Sequence, residues 1–156
     1  MQGTLNLDEL LAVLLASILP VSELRGAIPL ALGFGAHPLE AYIICVLGNL
    51  APIIPIMLVL PVIASKASYI PIFHKLFTWI DRRTEKQQQT VNKYGFIGLT
   101  IFVAVPLPMT GVWTGAAVAY LLGIRKRYAF FALMLGVMLA GALVTLVAGG
   151  FIHIWR

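Results

Sequence analysis

Charged residues make up only 11% of this 156-residue sequence, and two long stretches, residues 41–64 and 94–123, contain none at all. Together with a hydrophobic fraction of 60% and a mean hydropathy of +0.95, this excludes an ordinary soluble domain, which carries about 25% charged residues. Cysteine is almost missing too. Cys45 stands alone in an apolar run, so no intrachain disulfide can form and there is no redox-compartment signal. No Lys or Arg precedes the first apolar segment, where Asp8 and Glu9 stand instead, so a cleaved signal peptide is not expected. His37, His74 and His153 are scattered without metal-ligand spacing, so a metal centre is not expected. With no G-x-S-x-G, Cys–His or paired-carboxylate arrangement, neither an enzyme nor a cofactor is expected.

What the chain does have is one charged pair in an apolar setting, in ILPVSELRGAIPLALGFG over residues 18–35. Glu23 and Arg25 stand there between Pro20 and Pro29. An ionised side chain in hydrocarbon costs roughly 2.5 to 3.5 kcal/mol, so such residues usually face a bundle interior or a wet cavity and mark a pathway. Residues two apart do not share a helix face, and Pro29 clashes with the carbonyl of Arg25 in a continuous helix. The stretch therefore reads as a re-entrant hairpin: a short helix over 10–19, a break at Pro20, Val21 and Ser22, and a short helix back to Gly33. Irregular backbone is tolerated at membrane depth where it lines an enclosed cavity.

A loop over 36–40 leads to residues 41–64, long enough to cross a hydrocarbon core that takes about 20 helical residues. Pro52, Pro55 and Pro61 are expected to kink this span, and Asn49 puts an amide at mid-depth that needs a partner. Residues 66–93 form the hydrophilic stretch. Its first half spaces Tyr69, Ile72, Phe73, Leu76, Phe77 and Ile80 as a helix lying in the interface, with Trp79 at a suitable depth. Residues 94–123 are broken at their centre by PLPMTGVWTG, residues 106–115. After Arg125, Lys126 and Arg127, residues 128–152 form a second span, in which Gly136 and Ala140 permit close helix packing.

Shifting the sequence against itself by 88 positions pairs Pro20 with Pro108 and Gly35 with Gly123. The fold expected is all-α integral membrane: one domain over 1–156 made of two inverted repeats, 8–64 and 94–152, each a re-entrant helical hairpin plus one transmembrane helix. An amphipathic interfacial helix over 66–93 joins them. Inverted repeats with broken helices are a recurrent transporter plan. In this topology Lys66, Lys75, Arg82, Arg83, Lys86, Lys93, Arg125, Lys126 and Arg127 share one side, and Arg156 is on the other. The positive-inside rule then makes 66–93 and 124–127 cytoplasmic and both termini external. The basic pI near 9.7 is thereby explained without nucleic acid.

The second short helix of each hairpin would point its N-terminus at the membrane centre, with Ser22 and Thr110 placed to cap those ends. Two such termini with Arg25 make an anion site in a dry setting, and Glu23 is a candidate proton carrier. The candidate substrate-binding or coupling residues are Pro20, Ser22, Glu23, Arg25, Asn49, Pro108, Thr110, Gly111, Trp113 and Thr114. A second reading makes Glu23 and Arg25 a buried network that only fixes hairpin shape.

The motifs ELRGAIP, residues 23–29, and PLPMTGVWTG resemble those of the prokaryotic small multi-drug export proteins, regarded as a distant branch of the DedA (VTT-domain) superfamily. The resemblance covers nearly the whole chain. It implies two opposed re-entrant hairpins, homodimers in the cell (inner) membrane, and translocation of polyprenyl phosphate or phospholipid. It also implies essential acidic and basic positions, which Glu23 and Arg25 match. The chain departs from the DedA pattern in lacking arginine around its second hairpin and in having Met109 where glycine is expected. The expected function is transport of an anionic lipid or amphiphile, proton-coupled through Glu23. Drug/proton antiport ranks second, because Arg25 repels a cation, and a non-transporting scaffold third. Membrane lipids and a small-molecule or lipid substrate are the expected partners.

Overall fold

The computed structural model describes residues 5–67, 93–106 and 110–154. Helices follow in the order α1 Leu7–Ile18, α2 Glu23–Gly33, α3 Pro38–Leu50, α4 Ile53–Ala67, α5 Lys93–Ala104, α6 Val112–Leu121 and α7 Lys126–Ile154. No strand occurs among the described residues. The interfacial helix expected over 66–93 lies outside the described residues, apart from its two ends in α4 and α5.

Local chemistry sets the boundaries. Asn6 is extended at the start of α1, its N–H donates to the Glu9 carboxylate at 2.8 Å, and Asp8 and Glu9 put negative charge on the positive end of the helix. At α3 the first residue is Pro38, whose missing N–H would have no helical partner, and His37 Nδ1 accepts from the Leu39 N–H at 3.2 Å. The first break falls over 19–22, as expected. Pro29, however, is accommodated inside α2, where it removes only the bond its N–H would have given the Arg25 carbonyl.

Two helix ends match in detail. After α2 the chain turns at Gly35 (φ 92°), with Gly35 N–H on Leu32 and Ala36 N–H on Ala31. After α6 it turns at Gly123 (φ 63°), with Gly123 N–H on Tyr120 and Ile124 N–H on Ala119. Both are Schellman ends, which require a residue free to be left-handed. Each group stands 88 positions from its counterpart, as do Pro38 and Lys126, the first residues of the helices that follow.

The core lies around α2, which packs on α1, α3 and α7 through Leu24, Ala27, Ile28, Ala31 and Leu32, while α4 packs on α6. Gly136, expected to allow close packing, brings α7 onto α5: a Cβ there would stand 2.7 Å from Val103 Cβ and 3.0 Å from the Thr100 carbonyl oxygen.

Two helices are long and apolar enough to cross a membrane, Pro38–Ile63 and Lys126–Gly150, of 26 and 25 residues. The first is interrupted by a turn at Ala51 and Pro52, where a kink was expected. Pro55 instead falls in the first turn of α4, where no N–H is needed, and Pro61 lies inside α4. With 12, 11 and 10 residues, α1, α2 and α6 are too short to cross. Outward faces are apolar: Leu39, Ile43 and Leu47 on α3, Ile54, Leu58 and Val62 on α4, and on α7 Leu146, which is 73% exposed. Surfaces of this kind call for lipid or a partner.

Candidate functional site

The two segments that meet are the break at 19–22 and the described residues before α6, Thr110 and Gly111, nearly ninety positions further along the chain. Trp113 Nε1 donates to the carbonyl of Ile18, the last residue of α1, at 3.1 Å. Arg25 Nη2 donates to Thr110 Oγ1 at 2.8 Å, and that hydroxyl donates to the Val105 carbonyl at 2.8 Å. The Glu23 carboxylate, buried in the protein, lies against the N-terminal end of α6 and faces the backbone N–H groups of Val112 and Trp113, the first two residues of the helix. The third contact explains a glycine. A Cβ on Gly111 would fall 1.7 Å from Glu23 Oε2 and 2.4 Å from Oε1, so the carboxylate lies flush against the end of α6 only because position 111 has no side chain.

Glu23 has φ 45° and is the only non-glycine with positive φ among the described residues. A left-handed residue costs about 1–2 kcal/mol. Helical spacing predicts that positions 23 and 25 diverge, yet Glu23 and Arg25 line one cavity. The explanation is that Glu23 opens α2 with a non-helical backbone, so the helix-face rule does not bind it.

The helix ends are satisfied differently from expectation. Ser22 does not cap α2: its backbone is already helical (φ −94°, ψ −47°), and its hydroxyl turns back to donate to the Ala16 carbonyl. Nor does Thr110 cap α6, because its hydroxyl serves Val105 and Arg25. Thr114 Oγ1 accepts the Gly111 N–H at 2.9 Å, and the Glu23 carboxylate faces the next two donors. A helix start leaves four N–H groups without intrahelical partners. At α6, then, the expected anion site is held by the protein's own carboxylate.

Around this junction lies a cavity of about 260 Å³, bounded by Pro20, Val21, Ser22, Glu23 and Arg25 from the first segment and Thr110, Gly111, Trp113 and Thr114 from the second. Eight of these were candidates from sequence and Val21 was not. Pro108 lies outside the described residues. Asn49 is set deeper, fully buried in α3, with Nδ2 donating to the Ser17 carbonyl at 3.0 Å. Trp113 also walls a second cavity, an apolar groove of about 340 Å³ formed by Pro55, Ile56, Val59, Leu60 and Ile63 of α4. Sequence reasoning missed the groove, although its residues recur at helical spacing on one face.

Residues 23–143 match the family model described as "Putative small multi-drug export protein". The chain belongs to this family. The match begins at Glu23 and takes in Arg25, Asn49, Thr110, Gly111, Trp113 and Thr114, whereas Pro20, Val21 and Ser22 of the junction precede it. The description of the small multi-drug export proteins denotes export, which is transport rather than a class of enzyme, and the two membrane-capable helices fit a membrane protein. No match was found among curated proteins or among solved structures. Among the described residues no His, Cys, Asp and Glu cluster could hold a metal ion.

Proposed function

We propose that the chain carries an anionic amphiphile, of the polyprenyl-phosphate or phospholipid kind, across the membrane, with Glu23 exchanging a proton. The observation that carries this reading is the meeting of two unlike cavities at Trp113. On one side Arg25 brings positive charge to a lining that includes Ser22 and Thr110; on the other, α4 offers only hydrocarbon. Arg25 suits phosphate, because its planar fork donates twice. A free inorganic anion would have no use for the groove, and a cation would be repelled by Arg25. The test is flux in proteoliposomes, comparing dodecyl phosphate with a cationic dye, with and without a pH gradient. Dodecyl phosphate is expected to move, faster with the gradient. Movement of the dye alone would establish the second reading, drug/proton antiport, which the family's description favours.

This reading places the DedA-like plan in the membrane: two opposed re-entrant hairpins, with 66–93 and 124–127 on the cytoplasmic side and the 36–40 loop and both termini outside. It is supported by helices too short to cross, by boundaries that recur 88 positions apart, and by the basic residues gathered on one side. In a Cys45→Ala background, single cysteines replacing Lys93 and Arg125 should both react with an impermeant thiol reagent from the cytoplasmic face, and one at His37 from the outside. Lys93 and Arg125 positions reacting from opposite faces would make α5 and α6 a single crossing and remove the shared cavity.

A further inference from the structure

We propose that Asn49 is a second seat for the Glu23 carboxyl group. When protonated, Glu23 leaves the end of α6 and donates its O–H to Asn49 Oδ1, directly or through one water. This rests on the transport reading above and assigns the inner partner of its proton step.

Asn49 is 1% exposed, and while Nδ2 is held by Ser17, Oδ1 has no hydrogen-bond partner among the described residues. A buried amide oxygen is rarely left in that state. It lines an inner cavity with room for about one water molecule, whose wall also includes Glu23, Arg25, Thr110 and Gly111. Glu23 also lines the larger outer cavity, so its side chain stands between the two.

Few donors can reach the inner space. Of the helices packed on α2, α1 carries Asp8 and Glu9 at its far end, and α7 carries Lys126 and Arg127 about ten residues before the cavity-lining Val137. Helix α3 carries Glu40 at its start and the buried Cys45 one turn before Asn49. Arg25 is the other charged group lining either cavity, and its Nη2 donates to Thr110. Protonated Glu23 is the donor best placed to satisfy Oδ1.

In the step, a hydronium ion in the outer cavity gives its proton to a Glu23 oxygen and leaves as water. The carboxyl O–H turns to Asn49, and the Val112 and Trp113 N–H groups exchange the carboxylate for an anionic oxygen of the substrate. One negative charge faces Arg25 before and after, so proton and anion enter together without leaving a buried charge unpaired. Reciprocity of linkage then makes anion affinity fall with rising pH, up to tenfold per pH unit.

The test is pH-difference infrared spectroscopy of the full chain, with the Glu23 carboxyl band identified by its loss in Glu23→Gln. In the wild type the protonated band should sit at a hydrogen-bonded position, and a free-carboxyl position would overturn the proposal even if no Asn49 variant folds. Asn49→Leu should move the band to the free position and shift the titration midpoint by about one pH unit toward acid. An unmoved band and midpoint would make Asn49 merely structural. Dodecyl phosphate binding, read from Trp113 fluorescence with Trp79 and Trp155 replaced by Phe, should weaken as pH rises. Binding independent of pH would overturn the exchange. Binding absent at every pH would overturn the transport reading and the exchange with it, while the infrared bands still decide the Asn49 contact.

Discussion

Gly111→Ala is expected to stop transport and to destabilise the folded chain by about 3 kcal/mol, roughly the worth of one to two hydrogen bonds to a charged group. The steric overlap alone would be cheap, because the atoms it displaces are the far end of a side chain. The loss comes from where the carboxylate must go. Moved off the end of α6, the Glu23 carboxylate loses the N–H groups of Val112 and Trp113 that it faces, in a residue only 9% exposed. Those N–H groups are stranded as well. Glu23→Ala should therefore remove most of the penalty: in that background Gly111→Ala should cost less than about 1 kcal/mol, a strong coupling of the kind contacting residues show. Thermal or denaturant unfolding in detergent measures the cycle, and proteoliposome flux measures the function. Equal penalties in both backgrounds would mean that Gly111 serves only the turn.

Glu23 and Gly111 are counterparts, 88 positions apart in the same offset that pairs Gly35 with Gly123. The carboxylate at one of these positions takes the space that a side chain at the other would fill. The first break, the charged pair and the recurring helix ends were legible because each depends on local chemistry: prolines, a left-handed glycine, charge where charge is costly. The left-handed backbone at Glu23 was not legible. Nothing local demands it in a glutamate, and it is imposed by the fit between segments. The roles of Ser22 and Thr110 were misjudged for a similar reason. Both are good capping residues by type, but a distant carboxylate had already taken the donors of α6, and Ser22 lies too far inside helical geometry to cap α2. Asn49 is expected to need a partner, and among the described residues tertiary contact supplies one for its nitrogen only.

Arg25→Gln should lower flux of an anionic amphiphile on the order of 100-fold, equivalent to about 2.7 kcal/mol in the barrier, and its effect on stability separates transport from a purely structural network. Glutamine can still donate to Thr110, so the hydrogen bond across the junction survives in part while the charge facing Glu23 is lost. Breaking a fully buried pair costs about 3–5 kcal/mol, and Arg25 is only half-buried, so a destabilisation of about 1–2 kcal/mol is expected. Adding Glu23→Gln removes the uncompensated carboxylate and should restore most of that stability. If Glu23 and Arg25 merely hold the two segments in shape, the neutral pair should restore transport along with folding. If Arg25 binds the anion and Glu23 carries the proton, the double variant should fold and insert yet remain inactive. Arg25→Lys completes the series: it keeps the positive charge but replaces a planar fork with a point charge, so it should fold like the wild type and lose about tenfold in flux, the loss falling on phosphate affinity.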